Sequence, residues 1–89
     1  MKAEYLPGFL KDLKRLRGSD AFSRIKAFAF DEIVTVADVR TIPGIKRLKG
    51  GEDAYRVRIG DYRVGFYLRG GVVVFARTLH RREIYRHFP

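Results

Sequence analysis

The 89-residue sequence has no cysteine and no tryptophan, and it holds one methionine, two histidines and three prolines. Without cysteine there is no disulfide and no thiolate nucleophile. A metal site would have to combine His80 and His87 with carboxylates, too few imidazoles for an evident zinc centre, so neither metal nor cofactor is expected. Long apolar runs are missing too. The opening MKAEYLPGFLKDLKRL lacks the uninterrupted hydrophobic stretch of a signal peptide, and no segment reaches the apolar length that spans a bilayer. The expectation is a cytoplasmic protein with no membrane partner. Acidic side chains are scarce beside basic ones, 10 against 19.

What is present is an ordinary globular composition, 46% hydrophobic with seven Phe and five Tyr, in a chain long enough for one domain, 1–89, and one modest core. The net charge of +9 is unevenly placed. Residues 1–45 carry 8 basic and 6 acidic side chains, whereas residues 46–89 carry 11 and 4, the basic ones mostly Arg. Such a field concentrates polyanions, so RNA, DNA or an acidic protein is the expected partner, and charge alone does not choose among them. Arginine, with its planar fork, is favoured where phosphate is gripped.

Helical periodicity comes first along the chain and alternation second, which predicts an α+β fold: two N-terminal helices packed on an antiparallel sheet of about four strands, in the order β-α-α-β-β-β, with a short C-terminal helix. A short strand at Lys2–Tyr5 opens it. A helix starts at Pro7, buries Phe9, Leu10, Leu13 and Leu16, and closes at Gly18, with Ser19 or Asp20 capping the next one. That second helix runs from Asp20 to Ala37 with Phe22, Ile25, Ala29, Ile33 and Val36 on its stripe, although the β-branched IVTV run leaves its end open. Ile45 to Leu48 reads as a short strand, and Gly50, Gly51 and Asp53 as a turn. AYRVRIG, DYRVGFYL and VVVFARTL then form a meander, joined at Gly60-Asp61 and at Arg69-Gly70-Gly71.

A two-residue loop at Gly60-Asp61 pairs Ile59 with Tyr62, Arg58 with Arg63, Val57 with Val64, Arg56 with Gly65 and Tyr55 with Phe66. The apolar set then faces the helices, while Arg56, Arg58, Arg63 and Tyr67 face away, with Gly65 bare between them for close approach of a ligand. Like charges directly opposite one another are destabilising, so Arg58 across from Arg63 is a conflict that folding alone does not explain. The alternative is that these arginines splay into water or pair with loop carboxylates. The third strand, apolar on both faces at Val72–Phe75, reads as central. Arg77 faces either side of it, with Asp31 or Glu32 as a candidate internal ion-pair partner. His80 is a surface histidine or a functional one, and Tyr85 either shares a helical face with Arg81 for function or closes the end of the sheet as a core residue.

The string LKG, DAYRVRIGDYRVGFYL, VVVFARTLHRREIY resembles the RelE/ParE superfamily of toxins, whose hallmark is a basic, tyrosine-bearing hairpin followed by a valine-rich strand and an HRxxxY tail. The match is close over residues 47 to 87, and the preceding helices fit the superfamily order. The resemblance implies a toxin of a toxin-antitoxin system, favouring the RelE branch, in which mRNA in the 30S ribosomal A site is cut by driving its 2′-hydroxyl onto the adjacent phosphate, so that translation stops. The candidate catalytic set it implies is Arg56, Arg58, Arg63, His80, Arg81 and Tyr85, with Arg82 an alternative to Arg81. Lys46, Arg47, Lys49, Tyr67 and Arg82 are candidates for further RNA contacts. The RelE pattern has Lys where this chain has Arg56 and Arg58, and Arg keeps its proton, so His80 becomes the candidate proton carrier. The resemblance also implies a cognate antitoxin, assembling with the toxin as a hetero-oligomer. A ParE-like DNA gyrase inhibitor and a catalytically inactive binding protein are the alternatives.

Overall fold

The computed structural model describes residues 1–50 and 53–89. Side-chain alternation in the second half of the chain produces one five-stranded sheet: β1 (Lys2–Tyr5), β2 (Ile45–Arg47), β3 (Ala54–Ile59), β4 (Tyr62–Arg69) and β5 (Val72–His80), in the spatial order β1-β5-β4-β3-β2. The helices are α1 (Pro7–Arg15), α2 (Ala21–Ala27) and α3 (Ile84–His87). The architecture is the α+β one read from the sequence, with five strands rather than about four because the three residues at Ile45–Arg47 do pair, along β3. One pairing differs from the expected antiparallel sheet. β1 runs parallel to β5, Lys2 beside Val72 through Tyr5 beside Phe75, since the helices between them carry the chain across the sheet in a crossover.

The β3–β4 register is the one that the Gly60-Asp61 loop dictates, from Ile59 opposite Tyr62 to Tyr55 opposite Phe66. At the next turn Gly70 and Gly71 both take positive φ, as a tight two-residue hairpin loop requires. Of the turn expected at Gly50, Gly51 and Asp53, residue 51 lies outside the described residues; Gly50 and Asp53 both have positive φ. β5 lies between β1 and β4, the central place that its two apolar faces demand. Its ladder with β4 slips by one residue beside Gly65 and Phe66, leaving Ala76 as a bulge between Phe75 and Arg77.

The helices cover one face of the sheet. Phe9 and Leu13 from α1, Ile25 from α2, and Phe28, Ala29 and Ile33 just after it are buried against Val57, Val64, Phe66, Val73 and Phe75. The Phe75 ring sits at the centre, within 6.0 Å of the rings of Tyr5, Phe9, Phe28 and Phe66. Leu10, placed on the stripe by spacing, is 46% exposed. The second helix does not run to Ala37. It widens into a π turn at Phe28–Glu32, tightens into a 3-10 turn at Ile33–Thr35, and is extended at Val36. The β-branched Ile33-Val34-Thr35-Val36 run accounts for this, because such side chains crowd a helical turn. The Thr35 hydroxyl bonds back to the Glu32 carbonyl at 2.7 Å, and the Met1 nitrogen donates to the carbonyls of Ile33, Val34 and Val36. Nor does a side chain cap α2: the Phe22 N–H is taken by the backbone carbonyl of Ser19 instead.

Where β1 stops, the edge of β5 needs another partner, and α1 provides it. The Asp12 carboxylate, 3% exposed, accepts the Thr78 N–H at 3.1 Å and two bonds from the Arg77 guanidinium, at 2.7 and 3.1 Å. Arg77 therefore pairs with Asp12, not with Asp31 or Glu32, and its hydrogen bond to that carboxylate pushes its pKa up despite opposing desolvation. Asp12→Ala leaves a guanidinium and a strand N–H without their acceptor, and a cost of about 3 kcal/mol is expected. Urea unfolding should show a lowered midpoint with an unchanged slope. Asp12→Asn, which keeps an acceptor for Thr78, should lose clearly less.

Candidate nucleic-acid interface

The face of the sheet turned away from α1 and α2 is only partly covered. α3 crosses it, burying Ile84 and Phe88 against Ala54 and Ala76, with Leu48, Tyr67 and Leu79 around them. Phe88 lies directly over Gly65: a Cβ built on residue 65 would come within 2.6 to 2.8 Å of the Phe88 ring. The sequence reading leaves Gly65 open for a ligand. In the structure the space above it is filled by Phe88, because an apolar ring gains more by leaving water than a bare strand does by staying exposed.

Beside this plug stand the arginines. β3 carries Arg56 and Arg58, β4 carries Arg63, and the pairing sets Arg58 directly opposite Arg63. Arg56 is gripped by neutral acceptors. Its Nη1 donates to the Gly44 carbonyl at 2.6 Å and its Nε to the Tyr85 hydroxyl at 3.3 Å. Arg63 turns back toward the hairpin loop, where its Nη1 donates to the carbonyls of Gly60 and Tyr62, each at 3.0 Å. That turn relieves part of the conflict with Arg58, whose side chain is exposed. Among the described residues none of Arg56, Arg58 and Arg63 has a carboxylate partner; the ion pair nearest the face is Arg81 with Asp61, at 3.9 Å. Among the described residues, the loop carboxylates therefore do not neutralise the strand arginines. The Arg63 pKa is pushed down, first by burial and then by Arg56, with smaller repulsions from Arg58 and Arg81 that Tyr85 partly offsets. An incoming anion would remove that repulsion.

The structure thus brings together Arg56, Arg58, Arg63, Arg81 and Tyr85. Tyr85 is 56% exposed and is not a core residue. Of the two tail arginines, Arg81 is the one whose charge acts on Arg63. Arg82 is exposed, and its backbone N–H donates to His80 Nδ1 at 3.2 Å. His80 is not with the arginines. It pairs with Tyr62, whose ring packs toward the helix-side core, and the two rings meet edge to face at 5.6 Å. The Ala76 bulge shifts the alternation of β5 by one position, and this places His80 on the helix side. Lys46 is exposed opposite Arg56 and extends the basic face, whereas Arg47, opposite Tyr55, is paired with Asp53 at 2.8 Å. Lys49 is exposed beside the β2–β3 connection. Tyr67 packs against Phe88 on one contact and under the Arg69 guanidinium, 4.5 Å from its ring centroid, on another.

Two contributors are not marked by their residue type. Gly44 supplies the carbonyl that holds Arg56, and with a φ of 77° it approaches the Arg58 backbone so closely that a Cβ would lie 3.2 Å from the Arg58 oxygen. Phe88 sets the height of the tail; its spacing of four from Ile84 is the clue that both share a buried face. Among the described residues there is no group of three His, Asp or Glu side chains that could hold a metal ion. No helix there is long and apolar enough to cross a membrane. A separate apolar groove of about 600 Å³, between α2 and β3, includes Phe28, Ile42, Val57 and Ile59 and touches the basic face only through Arg58.

Residues 3–85 match the family model described as the ParE toxin of the type II toxin-antitoxin system parDE. Toxin RelE3 of Methanocaldococcus jannaschii is 37% identical over 90 residues, covering 100% of both chains. The toxin in the crystal structure of the RelB-RelE antitoxin-toxin complex from Methanococcus jannaschii superposes with a TM-score of 0.78 at 34% identity, covering 97% of this chain and 99% of that one. The toxin of the E. coli DinJ-YafQ complex shares the fold at 16% identity, with a TM-score of 0.75 over 94% of this chain and 97% of that one. The chain belongs to the RelE/ParE superfamily of toxins of type II toxin-antitoxin systems.

Proposed function

We propose that this toxin enters the ribosomal A site and cleaves the mRNA held there, stopping translation in the cytoplasm. The observation that carries the reading is the grouping of four arginines and an exposed tyrosine on one face, with Arg56 and Arg63 held, among the described residues, by carbonyls and a hydroxyl instead of carboxylates. Cutting RNA through its own 2′-hydroxyl needs the attacking oxygen, phosphorus and leaving oxygen brought into line, and positive charge around the phosphorane. Arg56, Arg63 and Arg81 surround the scissile phosphate in this scheme, while the exposed Arg58 takes a neighbouring one. Tyr85 stacks on an unpaired base of the codon. The guanidinium groups hold charge and do not shuttle protons, so the protein's contribution is positioning and electrostatic stabilisation, without a metal ion. As the 2′-oxygen–phosphorus bond forms and the bond to the 5′-oxygen breaks, water takes the 2′-hydroxyl proton and water protonates the departing 5′-oxygen, leaving a 2′,3′-cyclic phosphate and a 5′-hydroxyl. His80 is assigned no proton transfer, since its ring stands on the other side of the strand from Arg63.

A cognate antitoxin is proposed as the protein partner, in a hetero-oligomeric complex. The RelB-RelE and DinJ-YafQ structures are themselves such complexes, and the +9 charge suits an acidic wrapping segment. A second reading, a ParE-like inhibitor of DNA gyrase, draws support from the description of the matching family model. Primer extension on a defined mRNA in a translation extract separates the two. New 5′ ends at the A-site codon support the ribonuclease. Intact message together with blocked DNA supercoiling establishes the gyrase inhibitor instead.

Arg63→Ala is expected to lower the cleavage rate by about 100-fold, and Tyr85→Ala to relieve growth arrest while leaving the melting temperature nearly unchanged, because that ring is exposed. Full toxicity of both folded variants contradicts the proposed site. Binding to single-stranded RNA should weaken with salt, and Arg58→Ala should reduce the slope of log K against log salt by roughly 0.7, one phosphate contact.

A further inference from the structure

We infer that Gly65 and Phe88 form a socket and plug that set the position of Tyr85 against Arg56. This inference rests on the RNA-cleaving reading for what Tyr85 does to a substrate, but not for where Tyr85 stands. α3 is four residues long, too short to hold its own conformation in water, so its place on the sheet comes from its anchors. Those anchors are Ile84, fully buried, and Phe88, 2% exposed, joined by the Phe88 N–H to Ile84 carbonyl bond at 2.8 Å. Tyr85 follows the first anchor and projects outward, three residues before the second.

Gly65 is the register partner of Arg56, so the socket lies across one strand spacing from the guanidinium that Tyr85 meets. The fit tolerates no side chain. A Cβ at residue 65 would stand 2.6, 2.8 and 2.8 Å from three ring carbons of Phe88, and the ring would have to move. Tyr67 blocks one way out, packed on Phe88 at 5.1 Å between centroids and covered by Arg69. Raising Phe88 carries α3 with it and breaks the 3.3 Å contact between the Tyr85 hydroxyl and Arg56 Nε, leaving Arg56 on the Gly44 carbonyl alone. Gly65 and Phe88 are positioning residues: neither meets the RNA, and both act through Tyr85.

The test combines NMR of the Arg56 Nε–H group, assigned by its loss in Arg56→Lys, with binding of a fluorescent single-stranded RNA. In Gly65→Ala the protein should still melt in one transition, the Arg56 signal should move to its position in Tyr85→Phe, and affinity should fall about tenfold. Made in a Tyr85→Ala background, Gly65→Ala should cause no further loss, since both changes remove the same contact. An unmoved Arg56 signal in folded Gly65→Ala, or losses that add in full, overturns the inference. Should Gly65→Ala fail to fold, Gly65→Ala/Phe88→Leu, which removes the clashing ring atoms, is expected to restore folding and the Arg56 signal; a folded double variant that behaves as Tyr85→Phe overturns the plug as the cause. A displaced Arg56 signal with unchanged RNA affinity supports the socket and counts against the RNA-cleaving reading.

Discussion

One sheet has two faces to cover, and a chain of 89 residues has helices enough for only one of them. The rest of the molecule follows from how that shortage is met. α1 and α2, with the turns that follow them, bury the face built on Val57, Val64, Phe66 and Phe75. The opposite face receives a single turn of helix whose apolar content is Ile84 and Phe88, and it closes over the narrow strip around Gly65 and Ala76. Among the described residues, the strands beyond that strip have no cover but their own side chains. Those side chains are arginines.

An uncovered face can be polar without being cationic, so the charge itself needs a cause. Arg58 opposite Arg63 weakens the hairpin, and burial together with Arg56 makes the charged form of Arg63 still less favourable. The fold tolerates the cluster by supplying backbone carbonyls at Gly44, Gly60 and Tyr62, which fix the Arg56 and Arg63 guanidinium groups in place without neutralising them. Pairing each arginine with a carboxylate, as Asp12 of α1 does for Arg77 at the edge of β5, would stabilise the domain and spoil the face for phosphate. The sheet shows both solutions, one arginine neutralised and the others left with their charge.

Much of this was legible in the order of residues. Gly60-Asp61 between alternating runs sets the hairpin register, and that register alone gathers Arg56, Arg58 and Arg63 on one face. What escaped the sequence has physical reasons. The end of the second helix is decided by a contest between helical spacing and β-branched crowding at Ile33–Val36, which spacing cannot judge. The partner of Arg77 lies 65 positions away, where only the parallel pairing of β1 with β5 brings it near. The side taken by His80 depends on a bulge at Ala76, which inverts the parity of everything after it. Gly65 read as an opening because nothing in its own strand reveals that Phe88, from the tail, fills it.

The central claim is that this arginine face is where the toxin holds a phosphate of ribosome-bound mRNA. Cryo-electron microscopy of Arg63→Ala toxin, slowed enough to trap, on a ribosome carrying mRNA with an open A site tests it most directly. The A-site mRNA backbone should lie between Arg56, Arg58 and Arg81, with Tyr85 stacked on a codon base. Toxin bound through α1 and α2 with this face turned to solvent, or no ribosome complex at all, would contradict it.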